Sequence, residues 1–218
     1  MTEQETLRPF LKDSEARPLV RPGGMDLTLK MLELVGFPPG ARLLDVCCGG
    51  GATVEMLLNA GFDAWGIDLD LMDANFTADI LPVICGSAYD LPCEDASQDG
   101  IFCECGFSSL EPYAALAEFA RVLKTDGMLL ISDLYSKIGG SRVGNLRVHS
   151  QDDFESLFAL HGFELQFFED HTDALRSFWA RQVMEHGSDA YMKFNLSQDS
   201  IKPLECGYCL LIARKKSL

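Results

Sequence analysis

Short apolar runs alternate with amphipathic stretches along most of the chain. Strands are predicted where hydrophobic residues run together or alternate with polar ones, at residues 42–46, 63–68, 81–86, 99–106, 128–135, 163–170 and 207–214. Helices are predicted where apolar residues recur three and four positions apart, at residues 52–61, 113–127, 150–163 and 171–187, with one more ahead of the first strand. Because strands and helices alternate, the pattern predicts an α/β fold with a mostly parallel sheet.

Two segments fall outside this alternation. Residues 1–40 are predicted to form an N-terminal cap that includes the first helix, ahead of a main domain at residues 41–218, with a single domain overall. Residues 136–149, after the fifth predicted strand, are rich in glycine and basic residues. Both segments are expected at the carboxyl edge of the sheet, where ligands bind in such folds, so both are candidate lids.

The composition narrows the classes of partner. The 218 residues carry 18 basic and 33 acidic side chains, a formal net charge of −15. Such a surface repels phosphate backbones and anionic lipids, so neither nucleic acid nor membrane is an expected partner. The N-terminus lacks a signal-peptide pattern, and no run approaches the roughly 18 apolar residues of a membrane span. These features predict a cytoplasmic location, with the eight cysteines as thiols.

The stretch ARLLDVCCGGGATVEMLLNAGFDAWGIDLD contains the most informative motif. A glycine turn between a strand and a helix lets the backbone approach a ligand closely. The dinucleotide motif G-x-G-x-x-G is incomplete here, because no third glycine follows Gly49 and Gly51. Asp45 precedes the turn, where a carboxylate disfavours a pyrophosphate, and Asp68 ends the second strand, where it can bind a ribose. Two carboxylates around an open turn suit a cationic nucleoside such as S-adenosyl-L-methionine.

Further stretches in the same order add to this motif: CGSAYDLPCEDASQDGIFCECGFSSL, ALAEFARVLKTDGMLLISDLY and FESLFALHGFELQFFED. Together with LLDVCCGGGATVEML and GIDLD they span roughly residues 40–169 and resemble the class I S-adenosylmethionine-dependent methyltransferases. The resemblance implies a Rossmann-like, doubly wound sheet of seven strands, mostly parallel with an antiparallel last strand, and helices on both faces. It also implies S-adenosyl-L-methionine as the cofactor.

The resemblance further implies which residues surround that cofactor. The turn at residues 47–51 would pass under its methionine part, and Asp68 would bind the ribose hydroxyls. Leu69 would lie beside the adenine, and Ser87 would face the adenine amine where the family often has an aspartate. The residues predicted to bind the cofactor in this way are Asp45, Cys47, Cys48, Gly49, Gly51, Asp68, Leu69, Ser87, Ala88 and Cys105.

Two of these residues depart from the family pattern. Cys47 has a Cβ where glycine is usual, which excludes a comfortable positive φ and narrows the approach to the ligand. Ser87 is a weaker acceptor than a carboxylate, because a charge-assisted hydrogen bond is about twice as strong as a neutral one. Since Asp45 and Asp68 are retained, we expect weakened or adjusted binding rather than lost binding.

The segment RPGG adds two candidates ahead of the first helix. Its glycines, Gly24 among them, can wrap closely over a ligand, and Arg21 can pair with the carboxylate of the cofactor. The alternative for this segment is a mobile connector without a role in binding.

Catalytic groups are harder to predict than the cofactor site. Methyl transfer from a sulfonium is a direct displacement, which needs alignment in a dry pocket more than a particular side chain. The candidates for a catalytic group near the sheet edge are Cys105, Glu104, Tyr135 and His149, with Asp133 as a further general base. The alternative for each is an ordinary polar loop residue.

The segment FCECG suggests a second chemistry. Strand alternation would place Cys103 and Cys105 on one side with Glu104 opposite, and Cys47 and Cys48 at the neighbouring strand end. Thiolates are soft ligands that suit soft acceptors. The segment also resembles the cysteine-bearing fourth strand of arsenite methyltransferases, with Cys105 at the matching place.

A zinc site is a weaker interpretation of the same cysteines. Cys103, Cys105, Cys206 and Cys209 supply the right number of ligands, but their C-x-x-C does not lie on a zinc knuckle. No metal is therefore predicted.

The sequence favours an enzyme that transfers a methyl group from S-adenosyl-L-methionine to a small-molecule acceptor, as a monomer or homodimer. One alternative is a metalloid methyltransferase that uses the cysteine cluster. Another is a non-catalytic cofactor-binding protein, which the departures at Cys47 and Ser87 favour. An NAD oxidoreductase fits less well, because the third glycine is absent and Asp45 is ill placed.

Overall fold

The computed structural model describes residues 19–71, 81–187 and 206–217. Its helices are α1 (Gly24–Val35), α2 (Ala52–Asn59), α3 (Pro112–Val122), α4 (Gln151–Leu160) and α5 (Thr172–His186). Its strands are β1 (Arg42–Val46), β2 (Asp63–Asp68), β3 (Val83–Cys85), β4 (Gln98–Glu104), β5 (Leu123–Ser136), β6 (Ser141–Val143), β7 (Leu146–Val148), β8 (Phe163–Asp170) and β9 (Cys206–Lys215). A short 3-10 helix, Phe107–Ser109, follows β4.

Seven strands form one sheet in the order β3-β2-β1-β4-β5-β9-β8. Strand β1 pairs in parallel with β2 and β4, and the pairs β2–β3 and β4–β5 are also parallel. Strand β9 is antiparallel to both of its neighbours, β5 and β8. The predicted doubly wound sheet with an antiparallel last strand is therefore confirmed. The strand order reverses between β1 and β4, and such a reversal opens a crevice at the carboxyl ends of the strands.

Alternating side chains divide the core between the two faces of the sheet. In β4, Ile101 and Cys103 pack on one face and Phe102 on the other. Helices α3 and α4 cover the first face with residues such as Phe119 and Phe158, and α1, α2 and α5 cover the second. Full burial of such a side chain contributes about 1.5–3 kcal/mol. None of the helices in the described ranges is long and apolar enough to cross a membrane.

The first helix shares the core of the sheet. Leu27, Met31 and Leu32 of α1 are buried in the same cluster as Phe102 and Tyr208. Residues 24–35 therefore pack onto the sheet, and the chain just ahead of them lies at the carboxyl edge, beside the end of β4.

Some boundaries differ from the sequence prediction. The helix predicted at 113–127 ends at Val122, and β5 already begins at Leu123, because Leu123 pairs with Gln98 and brings the chain into the sheet early. The segment 136–149, predicted as a loop, contains β6 and β7, which pair antiparallel. We call residues 141–148 the β6–β7 hairpin.

The start of α4 agrees with the prediction of a capping serine. The Ser150 hydroxyl accepts the Asp153 amide at 3.2 Å, and the Asp153 carboxylate accepts the Ser150 amide at 2.8 Å. This reciprocal capping fixes the chain directly after His149.

Candidate active site

The glycine turn between β1 and α2 lies at the carboxyl edge of the sheet, next to the strand-order reversal. The backbone amides of Cys47 and Cys48 donate to the Ile67 carbonyl of β2 at 2.9 and 3.2 Å. Gly51, with a φ of 75° at the start of α2, donates to the Cys48 carbonyl at 2.9 Å. These bonds fix the turn against β2, beside Asp68.

Cys47 adopts the left-handed backbone conformation, with a φ of 62°. Its Cβ therefore does not prevent the positive φ, although it makes that conformation unfavourable. The conformation costs a non-glycine residue about 1–2 kcal/mol, so neighbouring contacts must hold it. A Cβ placed on Gly106, after β4, would lie 2.4 Å from the Cys47 Cβ and 2.8 Å from its Sγ. The Cys47 side chain thus occupies space that only a glycine at position 106 leaves open.

Asp45, the next-to-last residue of β1, is 2% exposed. Burial raises the pKa of Asp45 well above its usual value, and the charges of Glu104 and Asp68 act in the same direction against that of Arg21. The charged form of such a buried carboxyl group is unfavourable until a cation lies close to it.

Asp68, the last residue of β2, holds the turn from the other side. One carboxylate oxygen accepts the Gly49 amide at 2.8 Å, and the other accepts the Asp70 amide at 2.9 Å. Each carboxylate oxygen can accept a second hydrogen bond, so this half-buried group can still receive two hydroxyl donors. Leu69, directly after it, exposes 75% of its surface.

The predicted adenine end is formed by the turn after β3, which pairs with β2. The Ser87 hydroxyl oxygen accepts the Tyr89 amide at 3.2 Å, and Ala88 is buried. Because the turn already uses the Ser87 oxygen as an acceptor, its O–H remains available as a donor. Ser87 can thus donate to a ring nitrogen.

Arg21 lies against the end of β4 and pairs with Glu104. Its Nη2 is 2.9 Å from the Glu104 Oε2, and the two side chains are 8% and 1% exposed. Arg21 also donates to the Thr53 hydroxyl at 3.0 Å and to the Gly24 carbonyl at 3.3 Å. The segment ahead of α1 is therefore tied to both β4 and α2 through one guanidinium.

Glu104 is the centre of a buried polar network. Its carboxylate accepts three hydroxyl groups at 3.0–3.2 Å, those of Thr28, Thr53 and Ser132. Ser132 in turn accepts the Tyr208 hydroxyl at 3.1 Å, and that hydroxyl lies 3.0 Å from the Cys105 Sγ. With this many partners, Glu104 serves as a structural anion and not as the free general base that the sequence allowed.

Sequence reasoning missed four members of this network, Thr28, Thr53, Ser132 and Tyr208. The available signal was a polar residue inside an apolar pattern: Thr28 on the buried face of α1, and Ser132 in the apolar run of β5.

The two thiols of FCECG point to different faces of the sheet. Cys105 has a φ of 57°, which interrupts the strand alternation and brings its Sγ to Tyr208, on the same face as Glu104. Cys103 is fully buried on the other face and is hydrogen-bonded to Cys47. The prediction that Cys103 and Cys105 share a side opposite Glu104 is therefore wrong.

Three thiols near the turn, those of Cys48, Cys103 and Cys105, are held in the protonated form. Part of Cys105 is exposed, yet its thiol is densely surrounded, and burial, followed by the charge of Asp133, raises its pKa to about 12. Burial also raises the pKa of Cys48, and the hydrogen bond with Cys47, followed by burial, raises that of Cys103. Since the thiolate is the soft ligand, this disfavours a metalloid site. In residues 19–71, 81–187 and 206–217, no group of three or more His, Cys, Asp or Glu side chains could hold a metal ion.

Two further catalytic candidates, Tyr135 and His149, differ in position. The Tyr135 hydroxyl, on β5, donates to Asp170 of β8 at 2.9 Å, and burial with this bond raises the Tyr135 pKa to about 12. The structure therefore places Tyr135 away from the glycine turn. The His149 ring packs against Phe107, just after β4, and Phe154, with centroid distances of 6.5 and 5.5 Å. Burial lowers the pKa of His149, so its imidazole is neutral near pH 7.

Fold and site together define a nucleoside-binding α/β domain. The sheet reverses its strand order at β1, a glycine turn follows, and carboxylates stand near the ends of β1 and β2. Near the glycine turn, the carboxyl groups of Asp45, Asp68 and Glu104 lie around the guanidinium of Arg21. This excess of negative charge suits a cationic nucleoside and disfavours the pyrophosphate of a dinucleotide.

Known proteins resemble this chain over the glycine turn and the strands around it. Residues 44–131 match the family model of a methyltransferase domain. A demethylmenaquinone methyltransferase of Renibacterium salmoninarum is 35% identical over 108 residues, which cover 47% of this chain and 45% of that protein. The chain spans about half the length of the first curated relatives it matches. The resemblance to the methyltransferase domain family is confirmed for residues 44–131, which match its model.

Solved structures share the fold along nearly the whole chain. The 4+2 cyclase SpnF has a TM-score of 0.70 at 21% identity, covering 99% of this chain and 95% of that one. The geranyl diphosphate C-methyltransferase of Streptomyces coelicolor, solved with S-adenosyl-L-homocysteine, has a TM-score of 0.70 at 16% identity, covering 87% and 78%. At these identities the likeness shows the fold alone, and one of the two proteins is named a cyclase.

Proposed function

We propose that the protein is an S-adenosyl-L-methionine-dependent methyltransferase that acts on a small-molecule acceptor. The observation that carries the proposal is the buried carboxyl group of Asp45, whose charged form burial disfavours, beside the glycine turn in the segment that matches a methyltransferase domain. A cationic ligand beside Asp45 would offset the loss of solvation that raises its pKa.

The described residues fit this cofactor in charge and in position. Asp45 would hold the ammonium group, above the turn at residues 47–51, and Arg21 would meet the methionine carboxylate. Asp68 would accept the ribose hydroxyls with its second acceptor sites, and the exposed side chain of Leu69 would cover the adenine. The arrangement pairs each charged end of a zwitterion with its opposite.

Other predicted contacts complete the pocket. The free O–H of Ser87 would donate to an adenine nitrogen, and the Ala88 amide would lie beside it. Cys105 and Gly24 would line the methionine end, next to the Arg21–Glu104 pair. Cys48 would contribute through the backbone, because its side chain packs against β2 beside Gly66.

The chain contributes alignment and exclusion of water. When bound, the cofactor supplies an electrophilic methyl group, which the acceptor takes with its lone pair as the carbon–sulfur bond breaks. The close contact of Cys47 with residue 106 fixes the turn against the loop after β4, so that the methyl group and acceptor are held in line. The neutral imidazole of His149, held against Phe107, would take the acceptor proton where there is one.

The segment ahead of α1 and the β6–β7 hairpin lie at this edge of the sheet and would cover the acceptor. A role as lids, a cytoplasmic location and a monomeric or homodimeric state stay predictions from the sequence.

Titration calorimetry with S-adenosyl-L-methionine, S-adenosyl-L-homocysteine and NAD tests the cofactor. We expect micromolar binding of both S-adenosyl ligands and no heat with NAD. Asp45→Asn should abolish binding of the S-adenosyl ligands. Asp63→Asn is the matched control, since Asp63 is exposed at the start of β2 and should leave the affinity unchanged.

Turnover is tested by the formation of S-adenosyl-L-homocysteine with a panel of thiols, amines, hydroxyl compounds and carbon acids. Absence of heat with both S-adenosyl ligands would refute the proposal. Binding without turnover on any member of the panel would support the non-catalytic alternative instead.

A further inference from the structure

The β6–β7 hairpin places two arginines side by side. Arg142 and Arg147 are direct partners in the antiparallel register, so their side chains leave the same face of the hairpin. Like charges in this position destabilise an antiparallel pair. The opposite face is apolar, with Val143 and Val148 buried in a cluster with Cys206. The hairpin is therefore stabilised by its apolar face, in spite of the arginine pair.

The two guanidinium groups have donors to spare. One Nη of Arg147 donates to the Leu110 carbonyl at 3.1 Å, which anchors the hairpin to the loop after β4. Arg142 is exposed. Within the described ranges, no acidic side chain forms an ion pair with either arginine. Since each guanidinium has five N–H donors, most of them remain available to a ligand.

This pair contrasts with the charge of the whole chain. The segment 136–149 has three basic residues and no acidic one, in a chain with a net charge of −15. Of the three, Lys137 is paired with Asp170 at 3.1 Å, which leaves Arg142 and Arg147. Two arginines can bind one small anionic group, whereas the long phosphate backbone of a nucleic acid would meet the surrounding negative charge.

The arginine pair lies beside the proposed acceptor pocket. Strand β7 packs against the 3-10 helix after β4, and His149, directly after β7, packs against Phe107 of that helix. Arg147 is close enough to His149 to contribute, after burial, to the lowering of its pKa. The hairpin, the candidate base and the loop after β4 therefore face the same space.

We propose that Arg142 and Arg147 bind an anionic group, a carboxylate or a phosphate, on the methyl acceptor. A guanidinium group binds either a carboxylate or a phosphate through two parallel N–H donors, which fix the orientation of the anion as well as its position. The anion would relieve the repulsion within the hairpin and hold the reacting end of the acceptor toward the crevice. That the bound anion belongs to a methyl acceptor rests on the proposed function. The anion site itself rests on the hairpin alone.

Calorimetric titration of the full chain with inorganic pyrophosphate, and separately with benzoate, tests the site without any cofactor. We expect the double variant Arg142→Gln/Arg147→Gln to lose affinity for pyrophosphate by about tenfold or more, since charge-assisted hydrogen bonds are lost. Arg142→Lys should retain part of the affinity, because it keeps the charge without the fork. Arg176→Gln is the matched control, since Arg176 is an exposed arginine on α5.

The imidazole of His149 gives a readout that does not depend on turnover. The charged groups that act on it are Asp153, which raises its pKa, and Arg147, which lowers it along with burial. An anion bound to Arg147 should therefore raise the pKa of His149 in an NMR titration. The same addition of pyrophosphate should leave the His149 pKa unchanged in the double variant.

The Tm of the double variant separates loss of binding from unfolding. Removal of the like-charge pair favours the hairpin, whereas loss of the Arg147–Leu110 hydrogen bond disfavours it. If the double variant does unfold, the single variant Arg142→Gln, at an exposed residue, can be compared with the wild type for pyrophosphate affinity instead. Equal pyrophosphate affinity in variant and control, or an unmoved His149 pKa in the wild type, would overturn the anion site.

Parallel titration with S-adenosyl-L-homocysteine separates this inference from the proposed function. Pyrophosphate binding through the arginines without S-adenosyl binding would refute the proposed function and leave the anion site standing. The reverse result would refute only the anion site. An unchanged KM for an anionic acceptor in the double variant would show that the site binds free anions, against the acceptor assignment.

Discussion

Replacing Glu104 with glutamine should destabilise the protein by leaving a buried charge alone. The Arg21 Nη2 lies 2.9 Å from the Glu104 carboxylate, and the side chains are 8% and 1% exposed. Removing one partner of such a pair costs about 3–5 kcal/mol. Glutamine has nearly the same shape and can still accept the hydroxyls of Thr28 and Thr53. We therefore expect a loss near the lower end, about 3 kcal/mol, that comes from charge and not from packing.

Urea unfolding at pH 7, followed by circular dichroism, measures this loss. The same loss can be measured by thermal unfolding. For a chain of this size each kcal/mol in the free energy of unfolding corresponds to about 2–4 °C in Tm, so we expect Glu104→Gln to lower Tm by about 6–12 °C. The double variant Arg21→Met/Glu104→Gln should recover much of the stability, because removing both charges leaves none unpaired.

The control breaks an exposed ion pair instead. Asp173 and Arg176 are 92% and 64% exposed, so Asp173→Asn should change the free energy of unfolding by less than about 0.5 kcal/mol. A loss below about 1 kcal/mol in Glu104→Gln would mean that the buried pair behaves like an exposed one. That result, or equal destabilisation in the double variant, would refute the reasoning.

Three further predictions follow from pKa shifts. Burial, followed by the charge of Glu104, raises the pKa of Asp45. Ionisation of Asp45 therefore lowers the stability of the folded state once the pH rises above the usual pKa of an aspartate. Asp45→Asn should raise Tm at pH 8, and a lower Tm would contradict this. Cys85 and Cys105 are both exposed residues, but burial of the thiol, followed by the charge of Asp133, raises the pKa of Cys105 to about 12. Cys105 should therefore react with iodoacetamide at pH 7 far more slowly than Cys85, as peptide mass spectrometry would show. Burial lowers the pKa of His149. The neutral imidazole therefore contributes its full stability above the usual pKa of histidine, and that contribution is lost as the pH falls below this pKa. His149→Gln should weaken the pH dependence of Tm between about pH 7 and 5.

The order of strands and helices could be predicted because each element carries its own period. The ends of elements that are fixed by strand pairing in the sheet could not be predicted in this way. Leu123 continues the helical stripe of α3, yet its pairing with Gln98 across the sheet makes it the first residue of β5. The strands β6 and β7 have three residues each, which is too short for an alternation to be distinguished from a glycine-rich loop.

The backbone of the site could be predicted better than its side-chain chemistry. Asp45 and Asp68 are fixed by strand ends, which are local features of the sequence. The partner of Arg21 is Glu104, on a strand far along the chain, and Cys105 leaves the strand alternation to reach Tyr208 on β9. Which side chains pair with one another depends on contacts between segments that are distant in the sequence, and a local sequence pattern does not contain this information.

Cys47 shows why one position cannot be judged alone. Taken by itself, a cysteine in place of the usual glycine indicates a weakened turn. In the structure its side chain takes the space left by Gly106 and is hydrogen-bonded to Cys103, so the loop after β4 and the turn after β1 fit each other. The left-handed conformation costs about 1–2 kcal/mol, and the contact that holds it joins the two segments between which the methyl group would pass. The departure from the family pattern is therefore better explained as a change in how the turn is supported than as a loss of the site.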